Sequence, residues 1–399
     1  LFLADAREDR YRVLRLTSLS FAHPAVLSGR RAELSMPGTA LHQAHRRLGS
    51  TGHQAFLLST CLRVEIAWAA GPETTSNLLA CLYGDETLTD LGAVRTDEAA
   101  FVHLCRVAAG LDSPLIGEPE VLGQFRHAIS VWHEASAVSG RLGRALEAAI
   151  GIGRTARRLL SDAPRGSLAA LAANAAAPFP RVAILGAGTM ARAAAEQLDG
   201  IEVTIFARRP GHVAGRETHP WEAASDALAT HPVVISTVPG KVPLFTEKTL
   251  THAFARRNEP LLLIDLGMPP GFARLEAGDS VSYLGVDELA SSVNAQPSVE
   301  AEESVARGAA AVWHRLSAPD RVGRVIATML EQAEAVVSEE VQRFANRLSK
   351  ADDPERVLRQ LAHTVARRVL HRPISFLSST DRGVEAVEVL AEAFGIDDE

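Results

Sequence analysis

Residues 181–191, RVAILGAGTMA, constrain the chain most: an apolar run of strand length, a glycine-rich turn, then the helix-forming ARAAAEQL. A strand that is apolar along its whole length is buried on both faces. Four more such runs, EVTIFA, VVIST, LLLIDLG and VSYLGV, follow at helix-length intervals. Parallel neighbours need a crossover helix, so this alternation predicts a doubly wound parallel sheet, and residues 165–292 are expected to form a Rossmann-type domain. In its first turn Gly186 permits the tight bend, Gly188 lets backbone approach a pyrophosphate, and Ala191 suits close helix–strand packing. Ala187, Thr189 and Met190 complete the loop.

The second strand of this domain ends in IFARRP. An NAD site usually places Asp or Glu there to accept from the ribose 2'-hydroxyl, whereas this chain has Arg208 and Arg209 after Ala207. Two guanidiniums match a 2'-phosphate, so NADPH is the expected cofactor. Thr237, at the end of the third strand, is expected near the nicotinamide, at the sheet edge where such folds bind ligands.

With 399 residues, the chain is long enough for two or three cores. Residues 1–164 read as an α+β domain. YRVLRLTSLS (11–20), AFLLST and VEIAWAA have strand character, and 97–110 and 120–160 are amphipathic helices separated by a turn at Gly117-Glu118-Pro119. The Ala-rich stretch 167–177 reads as a linker. Beyond residue 292 the strand runs vanish. A long helix within 293–319 should lead into a helical unit at 320–399, broken near Pro319, Pro354 and Pro373. Its apolar faces suit a subunit contact or packing on its own chain.

The net charge of −7 excludes indiscriminate coating of nucleic acid, but the acidic excess lies beyond residue 165. Arg141, Arg144, Arg154, Arg157 and Arg158 therefore form either a polyanion contact or a solvated helix face. Three cysteines without a C-x-x-C pair call for neither a disulfide framework nor a metal, and no run approaches a membrane span, so a cytoplasmic setting is expected.

Cys61 lies in Ser59-Thr60-Cys61-Leu62-Arg63, a turn between two strand-like runs. It is either a small buried hydrophobe or a nucleophile toward an acyl carbon, with Arg63 as the nearby cation favouring the thiolate. His103, on the following helix, is either structural or an acid/base group.

Read in order, STCLRVE, HLCRVAAGLDSPLIGEPEVLGQ, VAILGAGTMA, VVIST, LLLIDLGMP and VLHRPISFL resemble the motifs of glutamyl-tRNA reductases over nearly the whole chain. The resemblance implies a multidomain α/β protein: an N-terminal catalytic domain, a Rossmann-type domain, and a C-terminal helical dimerisation domain on a long helix. It implies that Cys61 attacks the glutamyl ester of tRNA(Glu), and that hydride from NADPH releases glutamate-1-semialdehyde for tetrapyrrole synthesis, with no metal. His103 then matches the histidine needed for activity, and Thr60, Leu62, Arg63, Ser113, Glu118, Pro119, Glu120 and Gln124 match the substrate pocket. The resemblance also implies a homodimer and glutamate-1-semialdehyde aminomutase as partner. Arg63 can read a carboxylate bidentately.

Several positions depart from that pattern. Leu62 stands for Asn, Val64 for Thr, Glu120 for Gln and Thr189 for Glu, and 153–160 and 269–271 differ from the family's T-E-T and P-R-D segments. Two other readings stay open: a diverged paralogue reducing another aminoacyl-tRNA or acyl thioester, and a non-catalytic protein binding NADPH and tRNA.

Overall fold

The computed structural model describes residues 14–135, 140–160, 166–209, 211–240, 244–257, 259–273, 281–317, 321–348 and 353–379. They belong to two compact units, one within Val13–Ala318 and one within Pro319–Glu399.

The first unit opens with a four-stranded antiparallel sheet: β1 (Thr17–Ala22), β2 (Ala55–Ser59), β3 (Arg63–Trp68) and β4 (Ala93–Thr96), in the order β2-β3-β1-β4. The first strand starts at Thr17 rather than at residue 11, because Thr17 faces Trp68 and Thr96, the last residues of both neighbours. Leu14–Leu16 precede it outside the ladder, and 11–13 lie outside the described residues.

Helices cover both faces: α1 (Ser28–Leu34), α2 (Thr39–Ser50), α3 (Thr75–Tyr83), α4 (Asp97–Ala109), α5 (Pro119–Ala135) and α6 (Arg141–Arg157). Strand alternation sorts the side chains. Ala55 and Leu57 of β2 join Leu19, Phe21 and Ile66 against α2 and α3, whereas Phe56 and Leu58 join the core of α4, α5 and α6.

The Ala-rich stretch is not a linker. Leu168–Ala176 is a helix, α7, capped by the Ser167 hydroxyl, which accepts from Ala170 N at 3.1 Å. Its Leu168, Ala169, Ala172, Ala173 and Ala176 are buried, because small side chains let α7 lie close to the glycine-loop helix α8 (Thr189–Glu196).

The nucleotide-type domain has seven strands: β5 (Arg181–Leu185), β6 (Glu202–Ala207), β7 (His212–Val213), β8 (Arg216–Pro220), β9 (Val233–Ser236), β10 (Leu261–Asp265) and β11 (Val281–Gly285). Their order is β11-β10-β9-β5-β6-β8-β7, all pairs parallel except β7 with β8. Winding leaves β5 in opposite directions toward β6 and β9, so the switch point lies at the ends of β5 and β9, at Gly186 and Thr237. The edge hairpin β7–β8 has no counterpart among the apolar runs. Polar, two- and five-residue strands give no periodic signal.

Helices α9 (Ala224–Thr230), α10 (Glu247–Phe254) and α11 (Val286–Ser291) follow, then α12 (Val299–Ser317). This last helix is core rather than spacer. Ala301, Val305, Ala309, Trp313 and Leu316 form one stripe against α4 and α6, and Trp313 stacks on Phe101 at 5.9 Å. Arg141 is buried here and donates to Leu316 O at 2.7 Å, so it belongs to the packing and not to a polyanion face.

The second unit contains α13 (Arg321–Leu348) and α14 (Pro354–Ser379), which pair antiparallel through Arg347 with Gln360 and Arg368 with Glu340. Pro354 opens α14, where a missing N–H is harmless, but α14 runs through Pro373. Losing one backbone bond near the end of a 26-residue helix costs about 3 kcal/mol, and the helix absorbs it without terminating.

Candidate active site

Cys61 is the centre of a three-residue hairpin loop between β2 and β3. Thr60 shapes it: its hydroxyl accepts from Leu62 N at 3.3 Å and Arg63 N at 3.2 Å, while its N–H donates to Arg63 O at 2.8 Å. His23 N holds Leu62 O at 3.0 Å, and Arg31 Nη2 holds Cys61 O at 3.1 Å. The Leu62 side chain is buried, not turned to a pocket, and packs with Leu115, Leu168 and the apolar core of the nucleotide-type domain. Cys61 packs against the same cluster. Burial, then the carboxylate of Glu118, push its thiol up to about 12. Arg31 is the cation that favours the thiolate here, while Arg63 is engaged by Glu65 and the Asp112 carbonyl.

Arg63 is 3% exposed, donating from Nη1 to Glu65 Oε1 at 3.0 Å and from Nη2 to the Asp112 carbonyl. It belongs to a buried charge chain. Glu65 Oε2 lies 3.0 Å from His103 Nε2, and Asp112 Oδ2 lies 2.8 Å from His103 Nδ1. Arg106 then joins Asp112 at 2.7 Å and reaches Glu302 on α12. Burial favours neutral imidazole, but Glu65 and Asp112 outweigh it and raise the His103 pKa, while Glu65 is held below the usual carboxylate range by His103 and Arg63 despite its burial. The two carboxylates thus favour the imidazolium form of His103, which can donate to both. Both nitrogens are taken up by carboxylates.

Residues 113–124 carry the remaining residues expected at the substrate pocket. Ser113 Oγ accepts from Leu115 N at 3.2 Å, Gly117 turns with φ +70°, and Pro119 starts α5. Arg157 fixes this turn by donating to Glu118 O at 2.9 Å and Gly117 O at 3.0 Å, which leaves Arg144, Arg154 and Arg158 as the exposed members of the basic group. Glu118 is 5% exposed; burial and neighbouring Glu120 push it up to about 7. Glu120 Oε2 is buried without a hydrogen-bond partner, and Gln124, one turn on, is half-buried. The structure therefore brings Cys61, Glu118 and Glu120 together, and separately gathers Arg63 with His103.

The switch point holds a cleft of about 630 Å³ lined by Gly186, Gly188, Arg208, Arg209, Trp221 and Thr237. Gly186 has φ +120°, and a Cβ there would overlap Thr237 Oγ1, so only glycine fits; a Cβ on Gly188 meets no protein atom within 4 Å. Ala187 and Thr189 are exposed, Met190 is half-buried, and Ala191 is packed in the core as close helix–strand contact requires. Thr237 Oγ1 donates to Leu185 O at 3.0 Å. Asp265 braces the loop beyond β10 by accepting from Gly267, Gly271 and Phe272 N–H groups at 3.0, 2.8 and 3.0 Å, although burial pushes it up to about 6. An open glycine cradle, a helix N-terminus and two arginines fit a dinucleotide. Trp221 carries no motif, and no sequence signal marks it as part of this wall.

The fold and cleft define a nicotinamide-dependent oxidoreductase. Three family models tile it: the glutamyl-tRNA(Glu) reductase N-terminal domain over residues 19–159, shikimate/quinate 5-dehydrogenase over 170–292, and the glutamyl-tRNA(Glu) reductase dimerisation domain over 300–396. Glutamyl-tRNA reductase from Kineococcus radiotolerans is 30% identical over 417 aligned residues, covering 96% of this chain and 92% of that one. The enzyme of that name from Pseudomonas aeruginosa is 29% identical over 88% and 90%. A solved structure, glutamyl-tRNA reductase from Methanopyrus kandleri, is 20% identical, covers 92% and 94%, and superposes with a TM-score of 0.36. The chain belongs to the glutamyl-tRNA reductase family. Among the described residues no helix is long and apolar enough to cross a membrane.

Proposed function

We propose that this chain reduces the glutamyl ester of tRNA(Glu) to glutamate-1-semialdehyde with NADPH, through a thioester on Cys61, feeding tetrapyrrole synthesis. The observation that carries the reading is that the Cys61 loop packs into the same apolar cluster as the glycine-loop strand and helix, putting nucleophile and dinucleotide cleft in one body.

Cys61 Sγ attacks the ester carbonyl carbon, the ester C–O bond breaks, and the thiol proton leaves with the tRNA hydroxyl. A bound dinucleotide would supply the hydride that converts the thioester to aldehyde, the C–S bond breaking with Cys61 leaving as thiolate, which regains its proton from water. Glu118 and Glu120 face the thiol with negative potential, the complement of the substrate's α-ammonium. Burial is the larger cause of the raised thiol, and binding that cation offsets the smaller carboxylate part, so the correct substrate helps to ionise its own nucleophile. Arg63, committed to Glu65 and the Asp112 carbonyl, braces the start of β3 beside the Cys61 loop and has no free fork for the substrate carboxylate, which leaves Thr60, Ser113 and Gln124 as the groups shaping the pocket. Arg208 and Arg209 hold the 2'-phosphate, and Arg144, Arg154 and Arg158 receive tRNA phosphates.

The family's dimerisation domain supports a homodimer. Met329, Val337 and Val341 on α13 and Leu358 and Ile374 on α14 are exposed apolar residues suited to a second copy. The aldehyde is reactive in water, which favours transfer to an aminomutase in the cytoplasm.

Turnover of NADPH with glutamyl-tRNA, and none with free glutamate or other aminoacyl-tRNAs, is the expected result; turnover on a different charged tRNA would replace the substrate. Changing Arg208 and Arg209 together to Ala should raise the KM for NADPH by about 10- to 100-fold and leave that for NADH within about threefold. Equal changes would remove the 2'-phosphate assignment. Ending the chain at residue 319 should give monomers in sedimentation, and a surviving dimer would place the interface elsewhere.

A further inference from the structure

No sequence pattern singles out Arg31, yet it is fully buried on α1 and lies against the reactive loop. Its Nε and Nη2 donate to the Cys61 carbonyl at 3.3 and 3.1 Å, and Nη1 donates to Val26 O. Nη2 also pairs with Asp287 Oδ1 at 2.7 Å. Asp287 belongs to α11 of the nucleotide-type domain; its Oδ2 accepts from Ser28 N at 2.5 Å and its Oδ1 lies 3.1 Å from His23 Nδ1. The His23 backbone N–H holds Leu62 O, so one ring of contacts grips both carbonyls of the Cys61–Leu62 loop and ties them across to the second domain. A buried guanidinium is tolerated only when compensated, and among the described residues the carboxylate that compensates this one comes from that domain.

We propose that Arg31 is a positioning residue for Cys61, and that Asp287 sets how much of its positive charge the thiol feels. Glu118 and Glu120, from the turn at α5, disfavour the thiolate, and Arg31, whose guanidinium holds the Cys61 carbonyl, favours it. Asp287 partly cancels Arg31, so closing the Arg31–Asp287 pair quiets the nucleophile and opening it activates the nucleophile. The loop carbonyl held by the planar fork fixes the direction in which Sγ is presented.

The inference rests on Cys61 as the nucleophile, but its test needs no tRNA. Alkylation of Cys61 by iodoacetamide, followed peptide by peptide against pH, reads its thiolate fraction directly. Asp287→Asn should lower the midpoint and speed labelling at fixed pH by about three- to tenfold, while Arg31→Gln should raise the midpoint and slow labelling to a similar extent. Merely loosened packing would speed both. That outcome, or no change in either, overturns the proposal. Should Arg31→Gln not fold, Asp287→Glu decides: the restored carboxylate must return the midpoint to its parent value, and a midpoint that stays lowered overturns the proposal. Arg31→Lys keeps the charge without the fork, so it should retain the midpoint yet lower kcat more than it raises KM. Absence of glutamyl-tRNA turnover in the unmodified protein would sink the functional reading and leave these midpoints interpretable.

Discussion

Cys61→Ser will bring NADPH-dependent reduction of glutamyl-tRNA to background, a loss on the order of a thousandfold or more. A serine hydroxyl is a far weaker nucleophile at neutral pH, and the ester it would form is a poorer hydride acceptor than a thioester. The fold should not notice the change. The loop is held through the Thr60 hydroxyl, the Cys61 and Leu62 carbonyls and the Leu62 side chain, none of which uses Sγ. Thermal midpoint and NADPH binding are therefore expected to stay at parent values while the acid-stable glutamyl adduct disappears. Retained reduction would remove the thioester mechanism. Loss of NADPH binding together with activity would mean that the loop, and not the thiol, had been tested.

What was legible in the sequence has a physical pattern. The glycine turn at Gly186–Ala191 and the hairpin around Cys61 are local: each is specified by a few adjacent residues whose backbone demands nothing else can meet. The missed features are those in which distant residues decide. Arg31 and Asp287 stand 256 positions apart, and nothing near Arg31 reports that its charge is needed beside Cys61. Leu62 reads as a lost polar contact in the motif, but the structure spends no polar contact there; the side chain is packing between two domains. The Ala-rich stretch 167–177 reads as a linker because it lacks large side chains, and that same lack is what lets α7 pack closely. Pro373 reads as a helix break, but the helix continues past it, because the remaining backbone bonds of a 26-residue helix outweigh one missing donor.

His103 shows how far a motif's role can lie from its geometry. His103→Ala will destabilise the protein by about 3–5 kcal/mol, because it strips a partner from the fully buried Glu65 and from Asp112. The sign with pH follows from the shifts. His103 is raised above its ordinary 6.5, so its contribution is complete below 6.5 and fades as pH rises through the raised value. Glu65 and Asp112 are lowered, so theirs is complete above their ordinary 4.5 and 3.8 and is lost as pH falls through the lowered values. The difference between parent and variant should therefore be greatest between about pH 4.5 and 6.5 and shrink on either side, as denaturant unfolding across that range would reveal. A brace of this kind also predicts that kcat/KM carries no inflection at an ordinary histidine pKa, since both nitrogens are already committed to carboxylates. A variant that keeps full stability but loses an inflection near neutrality would make His103 the proton-transfer group instead. The charge chain through Arg106 to Glu302 gives the brace its reach: it fixes Arg63 at one end and α12 at the other, so the strand that follows the Cys61 loop is oriented by packing that begins far from the reaction.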